Sequence, residues 1–407
     1  MSRAAPPGEP VARERALAGA GRALATGAAG GAAAFLWIAV ACQVLTLVAF
    51  LVGRAGSLAT WARAGLALSV LAVRAEVTAT IPGLPGLREP TGPVDVSVVF
   101  VPMLVTIALV WLCGRAGRRA VDRCRGRGGW STVVCAAAGA GTAVAALGAV
   151  AAWGVRLRVP TLAVDLVGDP AAAAVGGFAL AAVATGVGAL LRLAGTSTVA
   201  RVLRGGLVGY GWALLLLAVG VVAIAALEPR VTRAYVHTLA DTGSIGPAVF
   251  GLHVLAIPAQ SALLQALASG ACLDLLLESP ALTLCPWRLD PGTLGGVFVP
   301  GETPLSPWLW GLSAVPAIAA FLGGRRAALA GTGLRAVGLG AGSGVAFGGL
   351  SLVGAWFAAP RAEGELFLLP LALTVDPIPF AAFATAWGIV GGAVGGWAEA
   401  RLADEGL

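Results

Sequence analysis

Long apolar runs, each about 20 residues, recur along the chain and are separated by short stretches that carry arginine. Within a run no polar face repeats at helical spacing, and the strict alternation of a half-buried strand is absent. Helices that are apolar all round belong in a hydrocarbon core of roughly 30 Å, which about 20 residues cross. The pattern predicts about eight spans: Ala23–Gly53, Val96–Gly114, Trp130–Trp153, Ala171–Leu193, Gly205–Leu227, Pro307–Leu322, Ala336–Ala358 and Pro379–Trp397. The first run is about twice the length of a secretion-signal core, so it reads as an uncleaved helix. The stretch 54–97 carries Arg54, Arg63, Arg74, Glu76, Arg88 and Glu89, too many charges for a span, and predicts a surface helix over about 57–73 followed by a proline-rich loop.

The segment Ile245–Leu267 is as apolar as a span but breaks the parity of the others. The run before it leaves the Arg201 and Arg204 side, and the run after it ends at Arg325 and Arg326. If arginine marks the cytoplasmic side, both ends of this segment lie outside. Pro258 sits at its middle, where it removes a backbone hydrogen bond. The expectation is a re-entrant hairpin over 245–267, broken near Pro258 and carrying His253, Gln260 and Gln265.

Composition then sharpens the class. Hydrophobic residues make up 58% of the 407 positions and charged residues 12%, far from soluble domains at about 50% and about 25%. The expected fold is an all-α, polytopic transmembrane helix bundle with both termini in the cytoplasm. A tail (1–22) precedes a single bundle (23–398) with outer loops 54–95 and 228–306, and a tail (399–407) follows. Under this topology the inner segments hold 17 Arg against 6 acids, and the outer segments 10 Arg against 14 acids. That split follows the positive-inside rule. Lysine is absent and all 27 basic residues are arginine; with 59 Gly this points to a bacterium of high genomic GC content and to its cytoplasmic membrane. The net charge of +7 sits in loop clusters, so nucleic acid is excluded as a partner and the lipid bilayer is the expected one.

Candidate chemistry is sparse. There is no P-loop, no HExxH and no GxSxG motif, and Gly340-Ala341-Gly342-Ser343-Gly344 has no histidine base in a span. Neither an enzyme nor a bound cofactor or metal is expected. Of six cysteines only Cys272 and Cys285 fall on the outer side, which makes them candidates for a disulfide. Asp95, Asp169 and Asp376 each precede a run and suit helix N-caps. Asp376 has a second reading as an intramembrane acid, because apolar residues flank it on both sides along with Pro377 and Pro379. Gly340, Gly344 and Gly348, and Gly388, Gly392 and Gly396, are spaced four apart, which lets two helix backbones approach. No internal repeat is evident.

The run ending in Arg115-Ala-Gly-Arg-Arg119, and the segment His253-Val-Leu-Ala-Ile-Pro258-Ala-Gln260, resemble the very hydrophobic actinobacterial membrane proteins called streptophobes. Ala259 stands where such segments carry asparagine. A looser resemblance links the chain to the PerM family of cell-division-associated membrane proteins. The first resemblance implies no activity; the second implies a non-enzymatic role in stabilising envelope or division machinery, with other membrane or envelope proteins as partners. Two readings follow: a non-enzymatic scaffold of the envelope, or a transporter or channel for a small solute or lipid.

Overall fold

A computed structural model of the chain describes residues 9–53, 57–81, 94–124, 129–159, 164–194, 197–227, 233, 236–237, 246–276, 282–284, 307–329, 331–364 and 371–405. Ten α-helices are described: α1 (Glu9–Gly53), α2 (Leu58–Leu71), α3 (Met103–Arg123), α4 (Trp130–Gly154), α5 (Pro170–Leu193), α6 (Thr198–Leu227), α7 (Gly246–Ser269), α8 (Val315–Ala328), α9 (Gly333–Ala358) and α10 (Pro377–Asp404). A 3-10 turn, Pro307–Ala314, leads into α8. Among the described residues seven helices are long and apolar enough to cross a membrane: α1, α4, α5, α6, α7, α9 and α10. The protein is an integral membrane protein of helical build.

The predominantly helical build agrees with an all-α bundle, and short strands join its helices: β1 (Val77–Ile81), β2 (Val94–Val99), β3 (Arg156–Val159), β4 (Val164–Gly168), β5 (Leu273–Leu276), β6 (Leu282–Leu284), β7 (Arg361–Gly364) and β8 (Leu371–Val375). Three expectations are corrected. The second span does not begin at Val96, because Val94–Val99 is strand β2, and α3 runs from Met103 through the arginines to Arg123. Asp95 is therefore no N-cap; its carboxylate accepts a hydrogen bond from the Thr80 hydroxyl at 2.6 Å. Nor does the chain break at Pro258, since α7 continues through it. A proline costs a helix about 3 kcal/mol. Opening the helix there would strand several backbone groups in an apolar setting at several kcal/mol each. Continuity costs less.

The residues fall into two compact units. The first comprises residues 1–48, 56–78 and 105–195, the second 49–55, 79–104 and 196–407. In the first, α1 packs on α4 through Gly27 against Ala136 and Gly31 against Ala140, and α3 on α5 through Gly117 against Thr185. In the second, α6 meets α9 at Gly206 and Ala346, and α8 meets α10 at Gly324 and Gly392. Strands β2 and β7 pair antiparallel in the second unit, as do β7 and β8, β8 and β5, and β5 and β6.

Among the described residues the same order of long helices and hairpins occurs twice. Helix, helix, hairpin, helix, helix, hairpin, helix describes α1 to α5 and, apart from the helical residues Arg233, Val236 and His237 between α6 and α7, again α6 to α10. The contacts repeat as well: α1–α4 corresponds to α6–α9, and α3–α5 to α8–α10. Each half ties its third helix to its fifth with an ion pair, Asp122–Arg192 at 2.7 Å and Arg325–Glu399 at 3.0 Å. The last helix of each half starts at Asp-Pro, and the carboxylates of Asp169 and Asp376 accept backbone N–H bonds as N-caps. Gly139-Ala-Gly-Thr-Ala-Val-Ala145 and Gly340-Ala-Gly-Ser-Gly-Val-Ala346 occupy equivalent helices.

Candidate functional site

The polar residues of α7 separate onto two faces. Leu255, Ala256, Ala259, Ala262, Leu263 and Ala266 are buried, whereas His253 and Gln260 are exposed on the opposite side. These two lie seven residues apart, close to two helical turns, so they share a face. Gln265 is rotated from both by about a third of a turn and is 0% exposed. Pro258 lies in the continuous helix between His253 and Gln260 and is followed by Ser261, whose hydroxyl donates to the Ile257 carbonyl at 2.9 Å.

Gln265 is the centre of a buried polar group in the second unit. Its Nε2 donates to the Ser351 hydroxyl at 2.6 Å, and that hydroxyl donates to the Phe347 carbonyl at 2.8 Å. Its Oε1 has no partner among the described residues, and neither do the Tyr210 and Ser269 hydroxyls. Tyr210 on α6 places its hydroxyl against Gly354, one turn along α9 from Ser351. The surroundings are otherwise apolar: Leu214, Ala259, Ala262, Ala266, Ala355 and Phe380 form one core cluster. An amide and three hydroxyls can bind a water or a small polar group, but they include no ionisable side chain suited to acid–base chemistry at neutral pH. Nothing in the sequence pairs Tyr210 or Ser351 with Gln265. The one signal was that a chain with two tyrosines places one inside an apolar run.

Asp376 is exposed and caps α10, accepting from Ile378 N at 3.2 Å. Its neighbours Val375 and Pro377 line an open apolar cavity of about 450 Å³, together with Leu352, Val353, Ala355 and Trp356 of α9. Thus His253 and Gln260 face outward from α7, Gln265 faces inward, and Asp376 sits at a helix start. They do not converge on one chamber.

The glycine rows meet one another. Gly340 faces Gly392, Gly344 faces Gly388, Gly348 faces Thr385, and Gly396 faces Ala336, each so closely that a Cβ would overlap the opposite backbone or side chain. Cys272 is disulfide-bonded. The register of the β5–β6 hairpin sets Leu273 opposite Leu284, the register that a bridge between positions 272 and 285 requires. Cys285 itself lies outside the described residues. Cys42, Cys113, Cys124 and Cys135 are free. Among the described residues no group of three His, Cys, Asp or Glu side chains is arranged to hold a metal.

Comparison of the chain with protein-family models, with curated proteins and with solved structures finds no match.

Proposed function

We propose that the protein is a non-enzymatic scaffold of a bacterial cytoplasmic membrane, of the streptophobe kind, that crosses the bilayer eight times and presents its β-hairpins outside. In this reading α1, α3, α4 and α5 cross, and α6, α8, α9 and α10 repeat them. Helices α2 and α7 begin and end on the outer side, and both termini are cytoplasmic. Arginines at the ends of α3, α5, α8 and α10 and at the start of α6 support the sidedness. Together the 3-10 turn and α8 are about 37 Å long, enough to cross.

The observation that carries the scaffold reading is the seam of α9 and α10. Glycine against glycine, with backbones in contact, leaves no room for a path between them. The transporter alternative needs polar groups facing one wet chamber, and the polar candidates face three different ways. Cysteine accessibility separates the two. In a background without the four free cysteines, a Ser351→Cys thiol should resist a membrane-impermeant thiol reagent applied from either side. Labelling from both sides would make Ser351 part of a solute path and end the scaffold reading.

A further inference from the structure

In the first unit a groove of about 350 Å³ runs between α1 and α3. The two helices are antiparallel here, since the Cys124 thiol points to the Gly19 carbonyl while Gly30 lies against Ala116. One wall is small and apolar, with Ala29, Gly30 and Ala33, and Trp37 stands at one end. The other wall carries Arg115, Arg119 and Arg123, three guanidinium groups at successive turns of one helix face. Arg115 is additionally held over the Trp111 ring at 5.5 Å from its centroid. The nearest acid on this helix, Asp122, is engaged by Arg192. Among the described residues Arg115, Arg119 and Arg123 have no carboxylate partner.

Three guanidinium groups without a carboxylate partner among the described residues, beside an apolar trough, complement a phosphodiester with acyl chains attached. Arginine binds phosphate oxygens in a bidentate fashion, and basic pockets between spanning helices recognise anionic lipid headgroups. A role only as topology signals requires arginines at the helix end, with no preference for a groove. Arg115 is about 12 Å deeper along the axis than Arg123, too deep to serve only at the end. The apolar wall beside it suits the first methylenes of a chain.

We infer that the α1–α3 groove binds the headgroup of an anionic phospholipid, with Arg115, Arg119 and Arg123 on the phosphate and the small residues of α1 against the chain. The depth of the groove in the bilayer and its assignment to the cytoplasmic leaflet rest on the proposed topology; the three arginines beside an apolar wall do not.

The test uses the full chain purified in a neutral detergent and titrated with phosphatidylglycerol, with phosphatidylcholine of the same chains, and with inorganic phosphate, read by native mass spectrometry. Phosphatidylglycerol should be retained in preference to phosphatidylcholine and should resist millimolar phosphate. Each of R115Q, R119Q and R123Q should weaken retention about five-fold, and the triple variant on the order of a hundred-fold. R118Q, on the same helix but not lining the groove, should match the parent. If the triple variant does not fold, the three single variants and R118Q carry the comparison. Equal retention of phosphatidylcholine, equal loss in R118Q, or displacement by inorganic phosphate would each overturn the lipid assignment, the last in favour of a soluble phosphate compound. A reporter placing Arg127 outside would overturn the leaflet and the topology while leaving the binding result standing.

Discussion

Replacing Gly344 by alanine tests the packing argument with a sign as well as a size. The missing Cβ of Gly344 would point at the Gly388 carbonyl, and that of Gly388 back at Gly344. Carbon atoms need about 3.5–4.0 Å of separation, and a backbone carbonyl cannot turn aside as a side chain can. Helices α9 and α10 must then separate or rotate, loosening the neighbouring Gly340–Gly392 and Gly348–Thr385 contacts as well. Overpacking costs about 1–3 kcal/mol where the surroundings can adjust. The upper end applies here because both sides are backbone. Alanine recovers up to about 1 kcal/mol of helix propensity, so Gly344→Ala should destabilise by about 2 kcal/mol net. Gly349, five residues on, has nothing within 4 Å of its would-be Cβ. Gly349→Ala should therefore be neutral or stabilising by up to about 1 kcal/mol. Thermal unfolding of the two purified variants in one detergent reads this directly, at very roughly 2 °C per kcal/mol for a chain of this size. If both variants melt together, or if Gly344→Ala melts no earlier than the parent, the seam is not close-packed and the argument for a closed path fails with it.

The N-caps differ in their bonding and should differ in cost. Asp169 accepts from Ala171 N and Ala172 N, and Asp376 from Ile378 N alone. Alanine should cost about 1–2 kcal/mol at 169 and about 0.5–1 at 376 in thermal unfolding. A bridge from Cys272 to Cys285 should appear as a linked peptide in unreduced mass spectrometry, with reduction lowering stability by about 3 kcal/mol; alkylatable thiols at both positions would refute it. At Gln265, leucine removes the unpaired Oε1 together with the bond to Ser351, whose own bond to Phe347 remains. Gln265→Leu should change stability by less than about 1 kcal/mol, whereas Gln265→Ala leaves a cavity and should cost about 2–4. Equal losses from both would show that the amide is structural.

What was legible in the sequence followed from length. A run of apolar residues long enough to cross a bilayer has few alternatives, and α4, α5 and α9 fall within a few residues of the runs that announce them. Strand β2 was missed although Val94-Asp95-Val96-Ser97-Val98 alternates as a strand should. It abuts the apolar start of α3, and a window wide enough for a span absorbs it. Strand β8, Leu371–Val375, vanished into the apolar approach to α10 for the same reason. Pro258 misled in the other direction, because the local cost of proline was weighed without the larger cost of opening a helix among apolar neighbours. The contact of Gln265 with Ser351 spans 86 positions. No local pattern encodes which polar residue a buried amide will meet.

The repeat escaped the sequence because what persists in it is position more than residue. The ion pair joining the third and fifth helices of each half survives with its charges exchanged: Asp on α3 and Arg on α5 in the first, Arg on α8 and Glu on α10 in the second. A comparison of residues scores that as two mismatches, whereas the physical device is the same. The equivalence has a consequence for topology. Arg118 and Arg119 end α3 as Arg325 and Arg326 end α8, and Arg192 ends α5 as Arg401 ends α10. On the proposed topology the halves therefore share one orientation, and each must begin and end inside, which requires an even number of crossings. In that proposal helices α1, α3, α4 and α5 supply four, so the short α2 adds none. By equivalence the proposed topology has α7 add none either, although the helix is apolar enough to cross. The expected outcome is specific. Reporter fusions after His237 and after Thr283, on either side of α7, should both report the exterior. Fusions after Arg127, Arg326 and Leu407 should report the cytoplasm. Opposite reports at His237 and Thr283 would make α7 a crossing, and the two halves would then differ in the step that their shared order of elements makes equivalent.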